Sequence, residues 1–218
     1  MDRIVLLWLI KNKNHFYGRL LLKNNFIRFP KIIYKNTVSS TNVVAKEILK
    51  SCNANFILIS SEQISGKGRD LKRFYSPKDV GIYMTLVLRN FKRTMPIISK
   101  ITALTVLKSI KKIAEDVYIK EPNDILLGNK KVCGILIESS LSAKEKIFDY
   151  VIIGIGVNVN NESFPHEIQD IATSIKHETG KKIEKNNLIE NIILEFNLLL
   201  EIPENQIEKE YSQNLLKR

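Results

Sequence analysis

Two apolar segments on either side of a tight turn constrain the fold of this chain most. Residues 125–139 read ILLGNKKVCGILIES, with Gly128 and Asn129 at the turn. A glycine–asparagine pair between β-prone runs is typical of a β-hairpin, because both residues accept the backbone angles that the turn requires. A third apolar segment, residues 146–160 (KIFDYVIIGIGVNVN), has the length of a further strand. The pattern predicts a sheet in which neighbouring segments pair in antiparallel fashion.

The rest of the chain supplies further strands and helices. Apolar residues recur every three or four positions after Thr94 and Pro96, which predicts the longest helix over Met95–Glu115. Further strands are predicted at residues 31–38, 55–62 and 81–89, and further helices after Ser39-Ser40 and at residues 186–201. These elements indicate an α+β fold with a mixed, mostly antiparallel β-sheet and helices packed on one face.

Composition limits the classes of function. A chain of 218 residues with 44% hydrophobic residues can form one domain, with room for a small appendage. The net charge of +11 invites a nucleic-acid interpretation, but the lysines are spread along the chain, so we expect no DNA partner. The apolar run Ile4–Ile10 is too short to cross a membrane. Cys52 and Cys133 stand far apart, which favours reduced thiols and a cytoplasmic protein.

A cationic loop follows the strand predicted at residues 55–62. The stretch SGKGRDLKRFYSP, residues 65–77, combines two glycines with Lys67, Arg69, Lys72 and Arg73. Glycines let the backbone fold closely over a ligand, and converging cations suit carboxylate or phosphate oxygens. The alternative is a solvated, charged hairpin loop.

Two more polar clusters follow. Lys120, Asn123 and Asp124 surround Pro122 at a strand end, and Lys131 stands two residues before Cys133-Gly134. A lysine beside small residues can contact a bound anion. An ordinary turn with a solvated lysine would show the same sequence pattern. Gly154 and Gly156 alternate along a strand, which leaves either a ligand groove or close packing against a helix.

In this order the clusters resemble the signature motifs of biotin protein ligases. The motifs stand here as SSTN, then Gln63 with GKGRDLKRFYSP, then KEPNDI, KKVCGIL, GIGVNVN and ATSI. The resemblance covers about residues 31–201. It implies that biotin's carboxylate attacks the α-phosphate of ATP, with Mg bound by the ATP phosphates and no dedicated metal site on the protein. A lysine of a biotin carboxyl carrier protein domain then receives the biotinyl group.

The resemblance also implies roles for single residues. Ser40, Thr41 and Gln63 would bind the ureido ring, and Asn42 would shape that end of the site. The full biotin-binding set is Ser40, Thr41, Asn42, Gln63, Gly66, Lys67, Gly68, Arg69, Lys131, Gly134, Gly154 and Gly156. The ATP-binding set is Arg69, Lys72, Phe74, Asn123, Lys131 and Asn158, in which Phe74 would lie against the adenine. Lys131 and Arg69 would be the catalytic residues.

Some positions depart from the family pattern. Lys67, Asp70 and Leu71 replace an arginine, an arginine and a glycine in the loop, and Phe74 and Glu121 replace tryptophans. By the resemblance, residues 1–30 are an extension, 31–202 the catalytic domain and 203–218 a short tail, with the usual small β-barrel missing or vestigial. We expect a monofunctional enzyme that is a monomer or a homodimer and has neither a DNA-binding domain nor a membrane partner.

Three other functions remain open. A lipoate or octanoate ligase belongs to the same superfamily, a nucleic-acid-binding regulator would use the charge, and the departures admit a biotin-binding protein without turnover. His15, His166 and His177 have no metal-ligand spacing and are expected on the surface or in packing.

Overall fold

The computed structural model describes residues 29–70, 72–141 and 147–216. The apolar run Ile4–Ile10, His15 and Leu71 lie outside the described residues. The chain forms a seven-stranded sheet in the order β1-β2-β3-β7-β6-β5-β4. Its strands are β1 (Lys31–Val38), β2 (Phe56–Gln63), β3 (Gly81–Phe91), β4 (Val117–Lys120), β5 (Asp124–Leu127), β6 (Lys130–Leu141) and β7 (Phe148–Asn158).

Only one pair of neighbours in this sheet is parallel. β1 runs parallel to β2, and every other neighbouring pair is antiparallel. The predicted hairpin forms at the predicted place, with Gly128 in the left-handed region at a φ of 59°. The mixed, mostly antiparallel sheet is therefore confirmed.

Five helices accompany the described strands. They are α1 (Thr41–Leu49), α2 (Met95–Lys111), α3 (Ile175–Thr179), α4 (Lys185–Leu199) and α5 (Glu204–Gln213). The longest of them, α2, begins where Thr94 and Pro96 predict but ends four residues before Glu115. The amides of Ile113 and Ala114 both donate to the carbonyl of Ile110 there and close the last turn.

Alternation along the strands divides the apolar residues between two faces. On one face, α2, α4 and α5 cover a large core that includes Met84, Ile153 and Phe196. On the other face, α1 packs Ala45 and Leu49 on Phe56, Leu58, Val87 and Ile152. The prediction that helices pack on one face is thus correct for the large core. The helix α1 lies on the opposite face, where its nine residues are too few to cover the whole sheet.

Residues 204–213, which the sequence analysis assigns to a tail, form α5. Ile207 and Tyr211 of this helix are buried in the large core. Beyond it, Leu215 pairs with Ile119 of β4 in parallel orientation. The core therefore extends past residue 202 to the end of the described chain.

Candidate active site

An open cavity of 880 Å³ lies on the face of the sheet that α1 covers only in part. The N-terminal end of α1 and the cationic loop (Ser65–Tyr75) form its walls, and β6 and β7 form its floor. The volume is in the range of pockets that hold cofactor-sized ligands. Because the motifs lie at strand ends and on one face, the sheet brings together residues that are far apart in sequence.

Glycines form the floor of this cavity. Gly134 of β6 and Gly156 of β7 are paired, and Gly154 lies two residues before Gly156 on the same face. A Cβ atom built on Gly154 would lie 2.4 Å from Oδ1 of Asn42, and one built on Gly156 would lie 2.6 Å from the Phe74 ring. Both distances are too short for a real side chain, so the close approach of these two neighbours requires glycine.

Phe74 occupies the space directly above the paired glycines. Its ring lies within 3.2 Å of the Cβ positions of both Gly134 and Gly156. The Phe74 amide donates to the carbonyl of Gly66 at 2.9 Å, which ties the ring to the start of the cationic loop. The resemblance implies that Phe74 lies against the adenine, and in the structure its ring lies against the floor glycines.

One end of the cavity consists of Thr41, Asn42 and Gln63. We call it the ring end, because the resemblance places these residues around the ureido ring of biotin. Gln63 Oε1 accepts from the backbone amide of Thr41 at 2.8 Å and from its hydroxyl at 3.1 Å. Gln63 Nε2 donates to Ser76 Oγ at 2.9 Å. These bonds fix the side chains before any ligand arrives.

Asn42 is held by hydrogen bonds to two strands, β3 and β6. Its Oδ1 accepts from the buried hydroxyl of Thr85 at 2.8 Å, and its Nδ2 donates to Leu136 O at 3.3 Å and to Glu138 Oε2 at 2.9 Å. Thr85 and Leu136 are the two strand partners of Gly154, so the amide lies flat across that glycine. Asn42 therefore forms a wall of the cavity, and its amide is already engaged within the protein.

Ser40 stands just before α1 and lines the same end of the cavity. It is buried, and its hydroxyl does not cap the helix. The expected role of this hydroxyl, a hydrogen bond to a ligand, is compatible with that position.

The cationic loop folds back on itself as a small hairpin. Lys67 and Arg73 form an isolated antiparallel bridge, and the Gly68 amide donates to the carbonyl of Lys72 at 2.8 Å. A Cβ on Gly66 would lie 2.5 Å from the carbonyl oxygen of Phe74, so the return of the loop requires glycine there. Asp70 takes a φ of 52°, which aspartate tolerates better than most residues.

The cations of this loop border the cavity, and we call the part of the cavity that they line the loop end. Lys67, Arg69 and Lys72 line the cavity. Within the three described stretches of the chain, no salt bridge joins these three side chains to a carboxylate. Positive charge therefore stands ready for an anion at the loop end.

Lys131 lies beside the glycine floor. It sits where the pairing of β5 and β6 shifts register, and its main chain bonds to Ile171 and Thr173 on a neighbouring segment. Its Nζ lies 2.6 Å from Asp124 Oδ1 and 3.2 Å from the Cβ position of Gly134. Asp124 thus holds the lysine over the edge of the glycine floor.

The two asparagines assigned to ATP are tied to the backbone. Asn123 Nδ2 donates to the carbonyl of Ile135 at 2.8 Å, and Asn158 Nδ2 donates to that of Thr173 at 3.0 Å. Both still line the cavity. The structure therefore gives them a part in shaping the site.

Glu121 lies apart from the cavity lining, next to the C-terminal helix. Burial, together with the nearby Glu121 carboxylate, raises the pKa of Tyr211 to about 12. Glu121 stands where the family pattern has a tryptophan in the wall of the pocket. In this chain the residue contacts α5.

Cys133 is adjacent to the site but faces the large core. Burial is the main reason that the pKa of its thiol is well above the ordinary value, so the thiol stays protonated and is a poor nucleophile. Within the described residues no cluster of three His, Cys, Asp or Glu side chains could hold a metal ion. In the same part of the chain, no helix has both the length and the apolar character needed to cross a membrane.

Comparison with known proteins identifies the fold family. The model of the Biotin/lipoate A/B protein ligase family matches residues 34–158, more than half of the 218-residue chain. This chain belongs to the biotin/lipoate A/B protein ligase family. The match runs from β1 to the end of β7 and includes every assigned residue from Ser40 to Asn158.

Relatives within the biotin/lipoate ligase family include bacterial proteins. The bifunctional ligase/repressor BirA of Bacillus spizizenii is 38% identical over 173 residues, which are 76% of this chain and 52% of that protein. The biotin–acetyl-CoA-carboxylase ligase of Paracoccus denitrificans is 30% identical over 159 residues, 69% of this chain and 65% of that protein. The chain thus spans about half the length of the first of these relatives and just under two thirds of the second.

A solved structure of the biotin/lipoate ligase family has the same architecture. The biotin protein ligase from Aquifex aeolicus in complex with biotin and ATP superposes with a TM-score of 0.73 at 28% identity. The superposition covers 86% of this chain and 79% of that one.

Sequence reasoning missed three residues that support the site of this family member. Asp124 stands in the KEPNDI motif, which gives it no role of its own, and Thr85 gives no signal because it lies within an apolar strand. Glu138 could have been found, since it follows Gly134 at an even spacing on β6 and must share its face.

Proposed function

We propose that this chain is an ATP-dependent biotin protein ligase, a biotin–acetyl-CoA-carboxylase ligase in its reaction. It activates biotin to biotinyl-5'-AMP and transfers the biotinyl group to a lysine of a biotin carboxyl carrier protein domain. Relatives that carry the name of biotin ligases support this assignment, as does the neighbour that holds biotin and ATP. The cytoplasm, where such a carrier and ATP occur together, is the proposed location.

The observation that carries the proposal is the position of Lys131. Its ammonium group lies over the edge of the glycine floor, in the same cavity that the ring end and the loop cations line. A ligand that fills the ring end and extends along the floor would bring its carboxylate to this lysine. That is the point at which a carboxylate and a phosphate must meet.

Two anions repel each other as they approach, so a cation at their junction lowers the barrier. In the first step a carboxylate oxygen of biotin bonds to the α-phosphorus, the bond to the β-phosphate breaks, and pyrophosphate leaves. Mg enters with ATP and offsets charge on the phosphates. Lys131, with Arg69 and Lys72 from the loop, supplies the protein's share of positive charge.

In the second step the carrier's lysine amine attacks the carbonyl carbon of biotinyl-5'-AMP. The amide bond forms, AMP leaves with the pair of electrons of the anhydride bond, and the amine loses a proton. The buried, protonated Cys133 fits a reaction that passes through no covalent enzyme intermediate.

The test is transfer to a purified carrier domain. We expect the chain, given biotin, MgATP and the domain, to produce a band on an avidin blot that requires all three. Labelling with lipoate or octanoate in place of biotin would instead assign the lipoate branch of the family. Biotin binding without pyrophosphate release would instead indicate a biotin-binding protein without turnover.

A further inference from the structure

We propose that Glu138 is a positioning residue for biotin recognition: it fixes the Asn42 amide and the N-terminal end of α1 over the glycine floor. The proposal rests on the proposed function for the identity of the ligand. The fixing of the helix itself can be tested without any ligand.

Glu138 contacts two residues of one helix face. It lies on β6, on the same face as Gly134 and Leu136. Its Oε2 accepts from Asn42 Nδ2 at 2.9 Å, and its Oε1 pairs with Lys46 Nζ at 2.5 Å. Asn42 and Lys46 are four residues apart, so they project from the same side of α1. One carboxylate thus holds the first two turns of the helix against the sheet.

The charge of Glu138 decides which way the Asn42 amide faces. The Thr85 hydroxyl can donate or accept, so it fits either orientation of the amide. An ionised carboxylate and a backbone carbonyl can only accept, so Glu138 and Leu136 O require Nδ2 on their side. Of these two acceptors, Glu138 is the nearer and the charged one. Its loss would leave only the 3.3 Å contact to Leu136 O.

Glu138 keeps this charge although it is partly buried. Burial by itself raises the pKa of the carboxyl, but the hydrogen bonds from Lys46 and Asn42 and the charge of Lys46 outweigh it, and the pKa falls below its usual value. Lys67 of the cationic loop adds a smaller effect in the same direction. The carboxylate is therefore ionised at neutral pH, and acceptor-only.

The consequence for ligand binding is pre-organisation. Asn42 lies across Gly154. Ser40 and Thr41 come directly before it, at the start of α1. A ligand that enters the ring end meets side chains that are already ordered, which lowers the entropy lost on binding. Weakening the Glu138 contacts should therefore affect biotin binding and spare the chemical step.

The first test is the Glu138→Gln variant, with Glu47→Gln as the matched control. Glu47 lies on the same helix but pairs with Lys50 at the exposed surface. We expect Glu138→Gln to raise the KM for biotin in pyrophosphate release by about tenfold, the equivalent of one lost hydrogen bond to a charged group, with kcat nearly unchanged. It should also speed amide exchange at Val44 and Ala45 in the absence of ligand. Glu47→Gln should change neither.

Rescue separates positioning from general destabilisation. Asn42 and Lys46 bind different oxygens of Glu138, and a glutamine has only one oxygen, so it cannot keep both contacts in their present geometry. Removing the lysine in the double variant Glu138→Gln, Lys46→Met frees that oxygen for Asn42 and should recover part of the biotin KM. If Glu138→Gln does not fold, Lys46→Met alone should still speed exchange in α1.

Unchanged amide exchange in α1 together with an unchanged biotin KM would overturn the proposal, as would a fall in kcat at constant KM. If the wild-type chain releases no pyrophosphate with biotin, the proposed function fails, and the exchange of Val44 and Ala45 still decides the role of Glu138.

Discussion

The two ends of the cavity are built in opposite ways. At the ring end, Thr41 bonds to Gln63 and Gln63 bonds to Ser76. Asn42 bonds to the strands beneath it. At the loop end, Arg69 and Lys72 have no carboxylate partner within the described chain, and a small hairpin carries them. A two-stranded hairpin by itself is marginally stable in water. The ring end is thus complete without ligand, whereas the loop end needs an anion to complete it.

This difference suits the two tasks of the proposed ligase. A neutral ring is recognised by shape and by hydrogen bonds, which work best from fixed side chains. A reactive phosphate anhydride has to be enclosed after it forms, and enclosure requires a segment that can move. Ordering a loop residue costs about 1–2 kcal/mol, so only a ligand with strong contacts can close it.

The largest effect is expected from Lys131, at the edge of the glycine floor. Lys131→Ala should lower the rate of pyrophosphate release about 100-fold or more, because the charge at the carboxylate–phosphate junction is lost. The neighbouring Lys130→Ala is the matched control, since its ammonium group bonds to the carbonyl of Gln169 outside the junction. A near wild-type rate for Lys131→Ala would remove this lysine from the mechanism.

Two alanine substitutions in the floor compare the ends directly. At Gly154 the new methyl group meets Asn42, which is hydrogen-bonded to two strands, whereas at Gly156 it meets the ring of Phe74, which the cationic loop carries. We expect Gly154→Ala to lower the free energy of unfolding by about 1–3 kcal/mol and to abolish measurable biotin binding. Gly156→Ala should cost less stability, because Phe74 can turn aside.

Chemical denaturation and biotin titration calorimetry measure both effects. Equal losses of stability in the two glycine variants would mean that Phe74 is held as firmly as Asn42. The contrast between the ends would then be wrong.

A smaller effect on rate, with a change in product, is expected from Arg69. If its guanidinium group holds the adenylate by charge-assisted bonds, Arg69→Gly should still form biotinyl-5'-AMP but release it into solution. The released anhydride would label lysines of bystander proteins such as serum albumin. Arg73→Gly is the control from the opposite strand of the loop hairpin. Labelling confined to the carrier domain in the Arg69 variant would show that Arg69 is not the residue that retains the intermediate.

Much of the fold follows from the sequence because its signals are local. The Gly128-Asn129 turn, the apolar runs and the Thr94–Pro96 helix start predict most elements near their observed ends. The four-residue strand β4 is too short to show a periodic pattern, and α5 is too polar for its two buried residues, Ile207 and Tyr211, to stand out.

The site was predictable where a motif names the residue, and less so where packing decides its contacts. Ser40, Gln63, Lys131 and Gly154 share one cavity as the resemblance implies. The partners that hold them come from other strands, and no local pattern shows that Thr85 lies under Asn42. The contact of Phe74 with the floor glycines depends on how the loop folds back, which composition cannot reveal.

Hydrogen exchange at the two ends tests the central contrast most directly. The chain would be measured without ligand, with biotin, and with biotinyl-5'-AMP. The amide of Thr41, which bonds to Gln63, should be protected in all three states. The amides of Gly68 and Phe74 should exchange fast without ligand, slow slightly with biotin, and become strongly protected with the adenylate. Equal protection of the loop amides in all three states would contradict a loop end completed by its ligand, and no change anywhere in the cavity would contradict the site itself.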